Sequence, residues 1–293
     1  MRTKQLSALG LFALFTTVIT FFSCQKEGSL QSNIPEGQNK LSIYLMDGPY
    51  DFQQVNVEIQ AIYVKIDSCD RSRWNDDDDD HPGCDDHHDS LYRNCEFWDT
   101  LDVNPGVYNL LTLQNGVDTL LASGFVLDGR IERIKFVLGT NNSVMVDSVV
   151  HPLHLVGNLN YVFVNLKREH LDSLSSDNFQ LYLDFDVARS IWKSNGKYWL
   201  KPVLKPFGRH STGEIEGKVR PVNSHGMIMA LSGTDTTFAR PDHHEGEFKI
   251  RGLRPGTYDV FIDGINGYRD TTITGVEVRR NRDTELGTIR LTQ

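Results

Sequence analysis

Beyond residue 40 the chain alternates apolar and polar side chains with a period of two. In QVNVEIQAIYVKID, Val55, Val57 and Ile59 alternate, and Ile62, Val64 and Ile66 continue in the opposite phase. Successive strand side chains point to opposite faces, so a one-residue phase flip predicts a β-bulge near Ala61. Ile134, Phe136 and Leu138 alternate with Arg133, Lys135 and Val137. Phe179, Leu181, Leu183, Phe185 and Val187 form a longer apolar face opposite Gln180, Tyr182, Asp184 and Asp186. Turn clusters such as Asp47-Gly48-Pro49 separate these runs. The pattern predicts an all-β chain of antiparallel sandwiches or barrels. Residues 167–176, short and polar, are the one helical candidate.

A boundary falls in KPVLKPFGRHSTG. Pro202 and Pro206 limit strand pairing, and Gly208 to Gly213 read as a linker. The expected domains are 40–207, carrying an acidic loop at 70–95, and 210–293. Both sizes suit a single domain.

The first residues follow a different rule. Arg2 and Lys4 precede an apolar run from Leu6 to Phe22, then Ser23 and Cys24. A positive segment, an apolar segment and a small residue make the layout of a secretory signal. It resembles a lipoprotein signal peptide over 1–23, in which Cys24 is lipidated and becomes the mature N-terminus. Residues 24–39 are polar and read as a flexible tether. Gln25 rather than Asp after the cysteine implies, by that resemblance, the outer membrane of a bacterium. The expected address is therefore extracytoplasmic, with the membrane held through the N-terminal lipid.

Charge narrows the partners. The chain has a formal net charge of −9. That balance argues against nucleic-acid binding, which needs a basic surface to displace counterions. It argues equally against attraction to anionic lipid, leaving the covalent anchor as the membrane contact.

Both halves resemble known families. LSIYLMDGP, WDTLDVNPGVYNLLTLQNG, LASGFVLDGRIERIKFVLG and LYLDFDVARSI followed by KYWLKPVLK occur in order across 41–205. They resemble the lipoprotein family listed as domain of unknown function 4382, which implies a β-sandwich and brings no activity. GEIEGKV at 213–219, EGEFKIRGLRPGTYDVFIDG at 245–264 and a closing TELGTIRL are similar to carboxypeptidase regulatory-like, transthyretin-type domains across 213–292. That likeness implies a second, accessory β-sandwich of the carbohydrate-binding-like kind. In this half Phe248 and Ile250 point inward, as do Tyr258, Val260 and Ile262, and Pro255-Gly256 fits a type II turn.

Candidate chemistry is sparse. The sequence holds no G-x-S-x-G, H-E-x-x-H, P-loop or dinucleotide fingerprint. Asp184 and Asp186, at i and i+2, would share a strand face about 7 Å apart. Paired carboxylates suit a hydrolase; the plainer reading is a polar sheet face paired with Arg189 or Lys201. His243-His244 reads as an exposed turn. Trp74, Trp98, Trp192 and Trp199 offer a sugar-stacking surface, although strand aromatics more often face the core.

The segment DDDDDHPGCDDHHDSLYRNC remains. Asp76, Asp78 and Asp80 have the spacing of the first calcium-loop ligands, but His81 stands where Gly belongs and His87 where Glu belongs. His81, Cys84, His87 and His88 suit zinc, copper or nickel better. The competing reading is a hydrated acidic loop without a defined divalent cation. With Cys24 reserved for lipid, Cys69, Cys84 and Cys95 are an odd set in a disulfide-permissive compartment. Pairing Cys69 with Cys95 across a hairpin is favoured; Cys69 with Cys84, or Cys84 with Cys95, stays open.

The sequence therefore predicts a lipid-anchored, extracytoplasmic binding or structural lipoprotein without a catalytic site or cofactor, its partner a glycan or a surface protein. The alternatives are a divalent-metal-binding surface protein, through the Asp/His loop, and a hydrolase using Asp184 and Asp186.

Overall fold

The computed structural model describes residues 34–48, 52–68 and 96–293. Almost all of them lie in strands or the turns between strands. Fourteen strands build the first part: β1 (Gln38–Asp47), β2 (Gln54–Asp67), β3 (Glu96–Val103), β4 (Gly106–Asn109), β5 (Thr119–Leu127), β6 (Arg130–Leu138), β7 (Ser143–Val146), β8 (Val149–Leu155), β9 (Tyr161–Asn165), β10 (Leu171–Ser175), β11 (Asn178–Phe185), β12 (Ile191–Ser194), β13 (Lys197–Leu200) and β14 (Leu204–Phe207). Seven follow: β15 (Gly213–Arg220), β16 (His225–Ser232), β17 (Asp235–Ala239), β18 (Glu247–Leu253), β19 (Gly256–Gly264), β20 (Thr271–Val278) and β21 (Asp283–Arg290).

The first fourteen form one continuous hydrogen-bonded sheet that folds over on itself. Strand β3 makes the connection: its first part pairs with β2 through Leu101, and Asp102 and Val103 then pair with β5. The alternation read along β2 is realised on both sides of a register shift between Ile59 and Ala61. Gln60 is the extra residue, so Val55, Val57 and Ile59 and then Ile62, Val64 and Ile66 all reach one core. Without that bulge, half of the strand's apolar side chains would face water. Leu41, Ile43 and Leu45 of β1 join the same core, as do Leu181, Leu183 and Phe185 of β11. Burying each such side chain contributes about 1.5–3 kcal/mol relative to exposure.

Among the described strands three pairings are parallel, where alternation suggested antiparallel neighbours: β1 with β11, β8 with β13, and β15 with β21. The helical candidate at 167–176 is a short 3-10 turn, Arg168–His170, running into β10. β10 pairs with β11 through Leu171, Asp172 and Ser173, and this tertiary pairing overrides a weak local preference.

The last seven strands make a sandwich of two sheets, β18-β15-β21 and β17-β16-β19-β20. Ile215, Val219, Ile228, Phe248, Ile250, Val260 and Ile262 fill its core. The described residues between 34 and 293 together form one compact unit. Between its two cores sits a smaller cluster of Met46, Tyr182 and Phe207, packed with Tyr44. Gly252 packs on it, since a Cβ there would lie 3.1 Å from Phe207 Cδ1. Arg251 crosses the junction, with Nη1 3.0 Å from Asp118 Oδ2 and Nε 3.4 Å from Glu214 Oε1.

Candidate functional site

The two aspartates singled out by the sequence do not form an open pair. Strand β11 ends at Phe185, and Asp186 caps the single-turn helix α1 (Val187–Ser190). Asp186 is 5% exposed. Its Oδ1 accepts the Arg189 N–H at 3.0 Å, and its Oδ2 lies 2.7 Å from Lys205 Nζ and 3.6 Å from Arg189 Nε. Both Oδ2 contacts are ion pairs without well-angled hydrogen bonding. Arg189 is thus one of the predicted partners, while Lys205 takes the place foreseen for Lys201. Lys205 reaches Asp186 because β14 pairs with the end of β11, setting Lys205 opposite Asp184. Pro206 is tolerated there because β14 is short and lies at an edge.

Asp184 lies under the second sandwich, beside Thr237 and Phe238 of β17, with the Gly48 N–H donating to it. The space between these groups is about 10 Å³, no more than one water needs. Burial, with Asp186 adding repulsion against the pull of Lys205, raises the Asp184 carboxyl to about 6. A third aspartate, which the sequence marked only as part of a turn, completes the cluster. Asp47 ends β1, is 3% exposed, and makes no hydrogen bond of good geometry, although Gln114 and the Val187 N–H lean toward it. Burial, and then Asp184 and Asp186, push its pKa well above the usual carboxylate range. Asp184 also borders a crevice of about 350 Å³ with His170, Asp235, Arg254 and Tyr258, but Asp186 does not line it. The two-carboxylate arrangement of a glycosidase needs both acids facing one bond, and of the pair Asp184 and Asp186 only the first borders this crevice.

The tryptophans give a second outcome. Trp98 and Trp192 are 44% and 42% exposed, against the expectation that strand aromatics face the core. Trp98 stands on the outer face of β3-β2-β6-β9. The register there places Trp98 beside Lys65, Lys65 beside Arg133, Tyr63 beside Lys135, and Lys135 beside Phe163. Trp98 and Phe163 rings lie 5.9 Å apart, and Tyr161 and Phe163 5.2 Å apart. Lys135 Nζ sits 4.9 Å from the Tyr161 ring and 5.7 Å from the Tyr63 ring, and Arg133 Cζ 5.3 Å from Phe163. Arg133 is aimed by Asn165, whose Oδ1 accepts its Nε–H at 2.7 Å. Lys65 is held by Glu96 at 2.5 Å and Glu132 at 3.6 Å. The result is an open, ring-lined face carrying Arg133 and Lys135 beside the Glu-paired Lys65, on an otherwise acidic protein. Tyr63, Tyr161 and Phe163 were not singled out by sequence reasoning, and Arg133 and Lys135 only as the outward phase of β6. Their signal was parity: each occupies the outward phase of a strand whose other phase is core.

His243 and His244 are exposed in a turn, as their sequence suggests. Cys24, Cys69 and Cys95, and the Asp76, Asp78, Asp80, His81, Cys84, His87 and His88 set, lie outside the described residues, as does Trp74. Among the described residues no three His, Cys, Asp or Glu side chains stand close enough to hold a metal ion.

No curated protein matches this chain. Among solved structures it is similar to GBS52, the minor pilin of Streptococcus agalactiae, at 11% identity over 85% of this chain and 94% of that one, with a TM-score of 0.21. The shaft pilin SpaA of Lactobacillus rhamnosus GG is similar at 9% identity over 87% and 97%, also with a TM-score of 0.21. Superposition at that level transfers neither fold detail nor role. The sequence itself matches more: the model described as "Domain of unknown function (DUF4382)" covers residues 38–202, over half of the chain, and the protein belongs to that family.

Proposed function

We propose that the protein is a lipid-anchored extracytoplasmic binding lipoprotein, without catalysis, that holds a glycan against the outer face of β3-β2-β6-β9. The observation that carries this reading is the exposed cluster of Trp98, Phe163 and Tyr161 around Lys135 and Arg133. Rings offer flat apolar area at small entropic cost and stack on the C–H face of a sugar. An exposed apolar patch rimmed by polar groups marks an interaction site, and the two cations favour a glycan bearing carboxylates. The alternative of a hydrolase built on Asp184 and Asp186 is disfavoured by the withdrawal of Asp186 from the crevice that Asp184 borders. In this reading Cys24 carries the lipid, the membrane is the bacterial outer membrane, and residues 213–292 are an accessory domain of the carboxypeptidase regulatory-like type.

The test is calorimetric titration of the chain from Gln25 onward with neutral and uronic-acid oligosaccharides. A central aromatic anchor is worth about 2 kcal/mol or more, so a Trp98→Ala, Phe163→Ala double variant should bind at least tenfold more weakly with its melting temperature little changed. Equal binding by both proteins would remove the face from consideration.

A further inference from the structure

One end of the first sheet carries a second set of rings. Strands β12 and β13 form a hairpin turned by Asn195 and Gly196, whose φ values of 52° and 74° suit a two-residue turn. The register then sets Trp192 opposite Trp199, and Trp199 beside His154 of β8. Ile191, Tyr198, Leu200 and Leu153, which occupy the other phase, belong to the core. Trp192, Trp199 and His154 therefore form a row across three strands on the outer face. The His154 and Trp199 rings lie 5.6 Å apart, and Trp192 is the exposed end of the row on the last strand of the sheet.

Cations frame this row. Lys197 and Lys201 stand two residues before and after Trp199, so they share its face about 7 Å to either side. The ladder reaches as far as Lys201, whose N–H donates to Ser190 O at 2.9 Å. Both lysines are exposed, and among the described residues neither pairs with a carboxylate. The local sequence explains why. Residues 148–168 and 187–213, which hold β8, β9, β12 and β13, contain no Asp or Glu, in a chain of net charge −9.

The row is continuous with the face around Trp98. Ile59 of β2 pairs with Gly106 of β4 on one edge and with Leu138 of β6 on the other. Asn56 likewise pairs with Asn109 of β4 and with Ser143 of β7. Strands β6 and β7 thus follow one another along the same edge of β2, with β9 beside β6 and β8 beside β7. Val164 of β9 and Leu153 of β8 enter one core, so Phe163 and His154 look out from the same side of one sheet. Glu58, on the outward phase of β2, turns its carboxylate to the Asn141 N–H at 2.8 Å.

We propose that Trp192, Trp199 and His154, with Lys197 and Lys201, form a second subsite on this face, and that the ligand is an acidic polysaccharide whose one chain lies across both ring clusters. This rests on the glycan reading of the Trp98 face and adds the charge and the length that the glycan must have. The rings take the C–H faces of the sugars, and the lysines take their carboxylates. Once a chain is held at one cluster, its second contact is intramolecular, which raises the affinity of any chain long enough to reach both.

The experiment is calorimetric titration of the chain from Gln25 onward with a dimer and a decamer of galacturonic acid, a neutral glucose decamer and polyglutamate. The acidic decamer should bind about tenfold or more tighter than its dimer, and tighter than the neutral decamer. Trp192→Ala, at an exposed position of an edge strand, should weaken the decamer about tenfold or more. Lys197→Gln with Lys201→Gln should weaken it about threefold or more, with the difference shrinking as salt rises, and Lys197→Arg with Lys201→Arg should bind as the unaltered protein does. A decamer weakened by Trp98→Ala, Phe163→Ala alone would refute this subsite and leave the first reading standing. A decamer weakened by the Trp192 and lysine variants alone would keep a site here and refute the first reading, and with it the spanning chain. Equal binding of dimer and decamer, or polyglutamate binding as tightly as the decamer, would overturn the proposal.

Discussion

Replacing Asp184 by Asn should stabilise the protein above pH 6 and leave it nearly unchanged at pH 4. The carboxyl is raised from an ordinary 3.8 to about 6 by burial at the junction, with Asp186 adding repulsion and Lys205 as the main counter-charge. An acid whose folded pKa lies above its unfolded one favours the fold when protonated. Its contribution is fully present below about 3.8 and is lost as pH rises through about 6. A shift of about two units corresponds to roughly 3 kcal/mol as an upper limit. The amide keeps an acceptor for the Gly48 N–H but gives up the attraction of Lys205, so the expected gain at pH 7.5 is about 1–2 kcal/mol. Urea denaturation at pH 4, 6 and 7.5 measures it, and the variant's stability should vary less with pH across that range. A variant that loses 1 kcal/mol or more at pH 7.5 would show that the Lys205 pairing outweighs desolvation, and the reasoning would fail.

Other residues give further expectations. Asn142 is buried, accepts the Glu58 N–H at 2.9 Å and donates to Gly139 O at 2.8 Å; Asn142→Ala should cost about 1–3 kcal/mol in a denaturant titration, since it leaves two backbone groups unpaired. Asp172, buried on β10, accepts the N–H groups of Arg209 and His210 and lies 3.3 Å from His210 Nδ1. Asp172→Ala should cost a similar amount and speed proteolysis near 208–213, read by mass spectrometry of the fragments. Cys24→Ala should abolish labelling by a fatty-acid probe in cells and release the protein from membranes; a labelled, membrane-bound variant would refute the anchor.

The strands were largely legible because period-two alternation reports which side chains leave water. The bulge at Gln60 was legible for the same reason: a phase flip has no other economical meaning in a long strand. The parallel partner of β1 was not, because alternation along a strand says which face is buried and nothing about the neighbour's direction. Asp184 shows the limit most clearly. Its phase along β11 is the polar one, so it reads as solvent-facing, yet the second sandwich covers that face with Thr237 and Phe238. Cover supplied by another part of the chain leaves no trace in the local pattern. Trp98 fails in the opposite sense, since aromatic β-propensity does not distinguish a core position from an open one.

Strand β1 has one more consequence. It follows closely on the segment that would tether the chain at Cys24, and it is bonded along both edges, parallel to β11 and antiparallel to β5. Tension drawn through such a tether, against a ligand gripped elsewhere on the protein, would run along β1 rather than peel it from an edge. Its hydrogen bonds would then share the load together instead of breaking one after another. The lifetime of the attachment would be governed by the forced unfolding rate of this one strand, which gives the strand nearest the anchor the part of a mechanical fuse.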